Sequence, residues 1–361
     1  MKILIMHRTV ANHDAIGNDI ELMSKVLEKK FDCSVYAENK LNENVKFVSR
    51  LQAEEILQME DSMVLYHHSV YWEYGAEMLK KAKGKIVFRY HNITPEVFFE
   101  PYKSVHFKQC QKGREQTRYF ISKYPNAYWL SDSLYNTEDL KDVNLENISI
   151  CAPFHKIWYW MKSKPDEQIL KTLIESRKIN ILFVGRIAPN KGHLFLLEVL
   201  RVFLLNYHNN IRLRIVGKYD SGLMLYNDLL RQKVKQYRLD EYIEFIGEVT
   251  DASLESYYLG SDLFLCASEH EGFCVPILEA QYFGLPVIAL KAAAIPDTGG
   301  KGQLILEKDV KAFAAAIKIL MENKKYYQCL QNCGKKNVYE RFSLDKIHSD
   351  FMEQLEKIVG D

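Results

Sequence analysis

Along this chain, short apolar runs alternate with longer stretches in which apolar positions recur every three to four residues. The short runs, bounded by turn residues, read as buried strands, and the periodic stretches read as helices with one apolar face. In the first half the strands fall at Lys2 to Met6, Cys33 to Ala37, Met63 to His67, Lys85 to Tyr90 and Ala127 to Ser131, with Ile148 to Ala152 as a sixth candidate. A second series follows at Ile179 to Val184, Arg212 to Val216, Ile243 to Ile246, Leu263 to Ala267 and Val287 to Leu290. Helices are expected at Asp166 to Ser176, Leu194 to Tyr207, Leu223 to Tyr237, Leu254 to Leu259 and Pro276 to Phe283. The tail is read as helical over Val310 to Asn323 and Ser343 to Val359. This alternation is the mark of βαβ units around parallel sheets, so the fold class is α/β with one sheet in each half.

A chain of 361 residues exceeds what one α/β core usually organises, and two domains are expected. The aromatic and basic stretch Pro153 to Pro165, with Trp158, Tyr159 and Trp160, reads as the junction, giving domains of residues 1–160 and 161–342. With 47% hydrophobic and 26% charged residues, the chain has enough apolar surface for large cores. Its formal net charge of +1 supplies no global field, so nucleic acid is not an expected partner. The 7 cysteines are scattered, with no Cys-x-x-Cys pair and no zinc-like spacing, which fits a reducing cytoplasm. The opening apolar run stops at His7 and Arg8, too short for a signal peptide, and no window approaches the roughly 20 apolar residues of a membrane span.

Two segments carry chemistry. Gly185-Arg186-Ile187-Ala188-Pro189-Asn190-Lys191-Gly192 follows a strand and precedes a helix. Ligands bind at the carboxyl ends of strands in open α/β sheets, and a helix N-terminus favours anions. Arg186 offers a fork and Lys191 a point charge, so a diphosphate is the natural guest, with a solvated basic loop as the plain alternative. The second segment, Ser268-Glu269-His270-Glu271-Gly272-Phe273-Cys274-Val275-Pro276-Ile277-Leu278-Glu279, also follows a strand. Pro276 reads as the first residue of a helix, which puts Glu271 on the loop and Glu279 on the first turns. Carboxylates accept from sugar hydroxyls and loop amides receive phosphate; taken singly, both acids are also ordinary surface residues.

Together these motifs resemble those of the retaining glycosyltransferase family 4, the glycosyl transferases group 1 of GT-B fold. The resemblance extends over the second half and includes Phe245-Ile246-Gly247-Glu248-Val249, similar to the family's strand and loop beside the nucleobase. It implies an α/β GT-B architecture of two Rossmann-like domains with parallel sheets facing across a cleft, and a terminal helix, residues 343–361, returning to the first domain. It places Arg186 and Lys191 on the diphosphate, Glu279 on the ribose, and Glu271 with the backbone of Gly272, Phe273 and Cys274 on the donor sugar. The family often has Gly where this chain has Cys274, so that side chain is expected to narrow the donor pocket.

The first half matches more loosely. Asp14-Ala15-Ile16-Gly17-Asn18 resembles the family's glycine-containing loop beneath the donor phosphate, with Gly17 letting backbone approach ligand. Arg89-Tyr90-His91-Asn92 ends a strand where similar enzymes place a His on the donor sugar, so His91 joins Arg186, Lys191 and Glu271 as a catalytic candidate; a histidine satisfied within the core is its plain reading. His67 and His68 also end a strand but match no motif.

No Asp-x-Asp occurs, which favours a mechanism without metal or other cofactor, the leaving charge falling to Arg186, Lys191 and helix N-termini. The expected partners are a UDP- or GDP-sugar donor and a glycan or lipid-linked glycan acceptor, as in bacterial surface polysaccharide synthesis. Lys103 to Tyr124, basic and aromatic, reads equally as a peripheral contact with the inner membrane face or as a solvated helix face. Two other functions compete: a dinucleotide-dependent oxidoreductase, which lacks its Gly-x-Gly-x-x-Gly fingerprint here, and a non-catalytic nucleotide-sugar-binding partner.

Overall fold

The computed structural model describes residues 1–12, 14–160 and 164–360. In chain order it runs β1 (Lys2–Ala11), α1 (Ala15–Leu27), β2 (Asp32–Leu41), α2 (Arg50–Leu57), β3 (Ser62–His68), α3 (Glu73–Leu79), β4 (Lys85–Tyr90), α4 (Val105–Lys123), β5 (Tyr128–Ser131) and β6 (Ile148–Ile150). It continues with α5 (Ile157–Trp160), α6 (Glu167–Glu175), β7 (Ile179–Val184), α7 (His193–Asn206), β8 (Ile211–Val216), α8 (Met224–Tyr237), β9 (Ile243–Gly247), α9 (Asp251–Leu259) and β10 (Leu263–Cys266). The last elements are α10 (Val275–Tyr282), β11 (Val287–Leu290), α11 (Ile295–Gly299), β12 (Gln303–Leu306), α12 (Val310–Glu322), α13 (Lys324–Arg341) and α14 (Leu344–Gly360).

The strands form two 6-stranded parallel sheets, ordered β2-β1-β3-β4-β5-β6 and β12-β11-β10-β7-β8-β9. The second is the doubly wound order, and it reverses direction between β7 and β10, where Leu263 faces Ile181 and Phe264 faces Leu182. The chain therefore leaves that pair of strands toward opposite faces of the sheet, and the loops after β7 and β10 start side by side at this point.

Local signals explain why the helices start where they do. The Asp14 side chain caps α1 through the Gly17 amide at 3.1 Å, Ser49 and Gln52 form a reciprocal capping box on α2, and Asp309 caps α12. The sequence expects neither β12, a short half-buried strand, nor α13, whose polar surface hides its apolar stripe.

Two compact units organise these elements: Met1–Glu96 with Lys108–Lys156 and Ser343–Asp361, and Val97–Phe107 with Ile157–Phe342. The grouping differs from a boundary at 160 in two places. Val97–Phe107 packs with the second unit because Tyr102 meets Tyr226 edge-on at 4.9 Å and the Ser104 hydroxyl donates to the Gly222 carbonyl at 2.9 Å. The expected junction residues Trp158 and Trp160 also belong there: Trp160 stacks on Phe283, and Trp158 donates to the Phe342 carbonyl and lies against Tyr282. In the first unit α14 is held by Phe351 on Phe154, by Gln354 accepting from Ser149, and by Lys85 Nζ donating to the Ile358 carbonyl.

The first unit's core is aromatic, with Phe88 stacked on Trp129 at 4.4 Å and on Phe120 at 4.9 Å. Phe120 thus spends the apolar face of α4 on the core, and the exposed face of that helix carries Lys108, Lys112, Arg118 and Lys123. Among the described residues no helix is long and apolar enough to cross a membrane.

Gly17 is buried in α1, and a Cβ there would lie 2.0 Å from the Ala11 carbonyl oxygen. Its missing side chain lets α1 press on the end of β1, so the approach expected toward a ligand is made to the protein's own backbone. Gly17→Ala is expected to destabilise the first unit by about 1–3 kcal/mol through overpacking, read as a lowered chemical-denaturation midpoint.

Candidate functional site

In the second unit the loops after β7 and β10 meet across the point where the sheet reverses. Gly192, at φ +72°, ends the turn Pro189–Lys191 and opens α7; a Cβ there would lie 2.1 Å from the Ala267 carbonyl oxygen. Only glycine permits both this left-handed backbone and this approach, so the two loops are pressed together at that residue. Asn190 strengthens the contact, its carbonyl accepting from the Glu269 amide at 2.8 Å and its side-chain amide donating to the His270 carbonyl at 3.2 Å.

The consequence is that Lys191 and Glu271, far apart in sequence, form an ion pair with Nζ 2.6 Å from Oε1. The Lys191 side chain is 21% exposed and that of Glu271 11%. Burial works against the ammonium charge, but Glu271 outweighs it and holds Lys191 above the usual lysine range. The Glu271 carbonyl also accepts from the Ala294 amide at 3.3 Å, which ties this loop to the one after β11.

Arg186 does not join that pair. Its Nη1 bonds Asp220 Oδ2 at 2.9 Å, on the loop after β8. Glu279 lies on α10 and accepts from the Tyr258 hydroxyl of α9 at 2.6 Å. Burial pushes its carboxyl up to about 7, against the opposing bond from Tyr258. Val249 follows β9 and packs against the core cluster that contains Tyr258 and Ile277.

Gly272 is partly exposed on its loop. Phe273 and Cys274 turn inward. Phe273 is buried edge-on against Phe342, and its carbonyl accepts from the Thr298 hydroxyl at 2.6 Å. Cys274 is buried with its thiol 3.8 Å from that of Cys266, so the side chain expected to narrow a donor pocket packs on another cysteine instead. It still bears the cost of its position: φ is +77°, in the left-handed region that glycine tolerates best. No side chain caps α10 at this residue; Pro276 has no amide hydrogen, and the Ile277 amide donates to the Cys274 carbonyl at 3.1 Å.

His91 and Gly17 lie in the other unit. The His91 ring is 5% exposed and both its nitrogens are engaged, Nδ1 with Asp132 Oδ2 at 2.7 Å and Nε2 with His67 Nδ1 at 2.9 Å. The tautomer consistent with the carboxylate donates from Nδ1 and accepts from His67 at Nε2, so the ring presents no free nitrogen to a sugar. Arg89 is fully buried beside them, its Nε on Asp19 Oδ2 at 3.2 Å and its Nη1 on the Cys151 carbonyl at 2.7 Å, with Nη2 3.0 Å from Asp132. Burial holds His67 well below the usual histidine range and lowers His7 to about 4. Asp19, His67 and His91 offer ligand atoms within 4.8 Å of one another. The Asp132–His91–His67 hydrogen-bond chain and the Arg89 guanidinium engage atoms of the same group. Sequence reasoning passed over Asp220, Tyr258 and His106; Asp220 stands before a Ser-Gly turn, a capping signal with nothing in it to name a partner.

Residues 165–337 match the family model described as glycosyl transferases group 1. The chain is 30% identical over 178 residues to a GDP-mannose-dependent alpha-mannosyltransferase of Mycolicibacterium smegmatis, a segment covering 46% of this chain and 41% of that protein. It is 30% identical over 137 residues to the O-antigen chain mannosyltransferase B of Escherichia coli, covering 38% and 35%. The matched segments thus span less than half of either relative. In fold the chain is similar to Anabaena HepE, solved with UDP and glucose, at a TM-score of 0.75 with 16% identity and 99% of both chains covered. Over residues 165–337, just under half of its length, the chain is similar to the glycosyl transferases group 1 family.

Proposed function

We propose that this chain is a retaining glycosyltransferase that moves a sugar from a UDP- or GDP-sugar to a glycan or lipid-linked glycan acceptor, without a metal ion, in the synthesis of a bacterial surface polysaccharide. The observation that carries the reading is the Lys191–Glu271 pair, fixed across the point where the second sheet reverses. A cation and a carboxylate held together there match a donor whose diphosphate is anionic and whose sugar is rich in hydroxyls. Lys191 and Arg186 would take the charge that develops on the departing diphosphate, and Glu271 with the backbone of Gly272 to Cys274 would orient the sugar. The relatives act on GDP-mannose and on mannosyl transfer, and the solved neighbour holds UDP and glucose, which supports a nucleotide-sugar donor and leaves both bases open to test.

Retention would follow same-face attack assisted by the departing phosphate. The basic exposed face of α4, which also carries Val105 and Tyr119, would allow an electrostatic contact with an anionic membrane surface.

Calorimetry of the protein against UDP, GDP, ADP, NAD and NADP, with EDTA throughout, is expected to show selective binding of UDP or GDP; binding of NAD or NADP alone would return the reading to an oxidoreductase. Lys191→Ala should lower turnover roughly 10²–10³-fold by removing a preorganised charge, with the circular-dichroism melting curve little changed. Glu279 gives a pH test. An ionised carboxylate accepts from both ribose hydroxyls, so affinity for the parent nucleoside, which carries no titrating phosphate, should weaken by up to about tenfold as pH falls from 8 to 6 through the raised value. Glu279→Gln should abolish that dependence.

A further inference from the structure

The loop after β8 carries a carboxylate that the reaction described above leaves without a role. Asp220 Oδ2 takes Arg186 Nη1 at 2.9 Å and lies 3.0 Å from His106 Nε2. Its Oδ1 accepts from the Gly222 amide at 2.8 Å, and its carbonyl accepts from Asn227 Nδ2 at 2.9 Å. Burial works to raise this carboxyl; the Gly222 amide, His106 and Arg186 together outweigh it and keep Asp220 below its ordinary range, hence ionised. It is a rigid anion with an arginine on one side.

His106 arrives on Val97–Phe107, the segment that joins the second unit while the chain before and after it belongs to the first. Phe98 lies 6.3 Å from the His270 ring, Tyr102 packs on Tyr226, Phe99 lies 5.4 Å from the His106 ring, and Ser104 bonds the Gly222 carbonyl. The segment is therefore seated on the loop after β10, beside His270, and on the loop after β8, beside Asp220.

Arg186 is 49% exposed. A half-exposed arginine without an anchor samples many rotamers, and ordering one on binding a ligand costs affinity. Asp220 engages a single Nη and leaves the other edge of the guanidinium for an anion.

We propose that Asp220 is a positioning residue: it pre-orders Arg186 for the diphosphate of the donor, and His106, against the same carboxylate oxygen, holds Asp220 in place. The inference rests on the reading that Arg186 meets a diphosphate. Asp220 also caps the turn Ser221–Leu223, and asparagine caps equally well, so Asp220→Asn removes the charge while leaving the turn intact.

The test is calorimetric titration of whichever of UDP or GDP binds, and of its parent nucleoside, into the wild type, Asp220→Asn, His106→Gln, Arg186→Ala and the Arg186→Ala/Asp220→Asn double variant. Asp220→Asn is expected to weaken the diphosphate about three- to tenfold, to leave the nucleoside unchanged, and to have no further effect once Arg186 is absent. His106→Gln should produce a smaller loss of the same selective kind. Equal loss of nucleoside and diphosphate, unchanged or tighter diphosphate binding, or a loss that persists in the Arg186→Ala background would overturn the positioning role. Full diphosphate affinity in Arg186→Ala alone would remove the underlying reading as well, an outcome distinct from failure at Asp220.

Discussion

The parallel pairing of β7 with β10 is the constraint on which the second unit's chemistry rests. Parallel strands need crossover connections, and where the strand order reverses, crossovers leave for opposite faces while the loops that begin them stand side by side at one edge. Everything placed at that edge inherits its geometry from the strand order. Lys191 and Glu271 meet because each stands a few residues past one of these strands, and Gly192 lets the two backbones close until Ala267 fills the space a side chain would take. The conformation of Cys274 fits the same account: the chain must turn sharply out of the loop into α10, and the backbone accepts a left-handed residue to do so.

The first unit uses polar burial differently. Arg89 cannot shed its charge, so at zero exposure it demands anions, and Asp19 and Asp132 supply them. The histidine chain through His91 and His67 engages the other oxygen of Asp132. Asp19 Oδ1 accepts from the Phe154 amide at 2.8 Å, so the network also anchors the stretch after β6. Such an assembly is costly to break at any single member, because each removal strands a charge or a donor in a dry interior.

Much of this was legible in the residues. The alternation of apolar runs and periodic stretches placed eleven strands and the α/β class, and the two loop motifs put Lys191 and Glu271 each just past a strand, where the structure pairs them. What escaped has physical reasons. β12 is short and only partly covered, so its four residues carry no alternation to read. The partner of Arg186 is set by a tertiary approach between the loops after β7 and β8, bridged at Ile187 and Tyr219, and spacing along the chain does not encode that approach. Gly17 and His91 were found as chemistry-bearing types in plausible places. Whether a small residue faces a ligand or a neighbouring carbonyl, and whether an imidazole has a free nitrogen, depend on packing that a local motif does not contain.

The edge of the first sheet has its own meaning. β2 is an outermost strand, and it continues past the buried Val35, Tyr36 and Ala37 into the exposed Glu38, Asn39 and Lys40. Glu38 accepts from Trp72 Nε1 at 2.7 Å, and Lys40 Nζ donates to the Val48 carbonyl at 2.9 Å. A strand from a second molecule laid along this margin would have to desolvate a carboxylate and an ammonium that are already engaged. The margin is therefore a poor template for intermolecular β-pairing, and crowded chains are steered away from growing into one another through it.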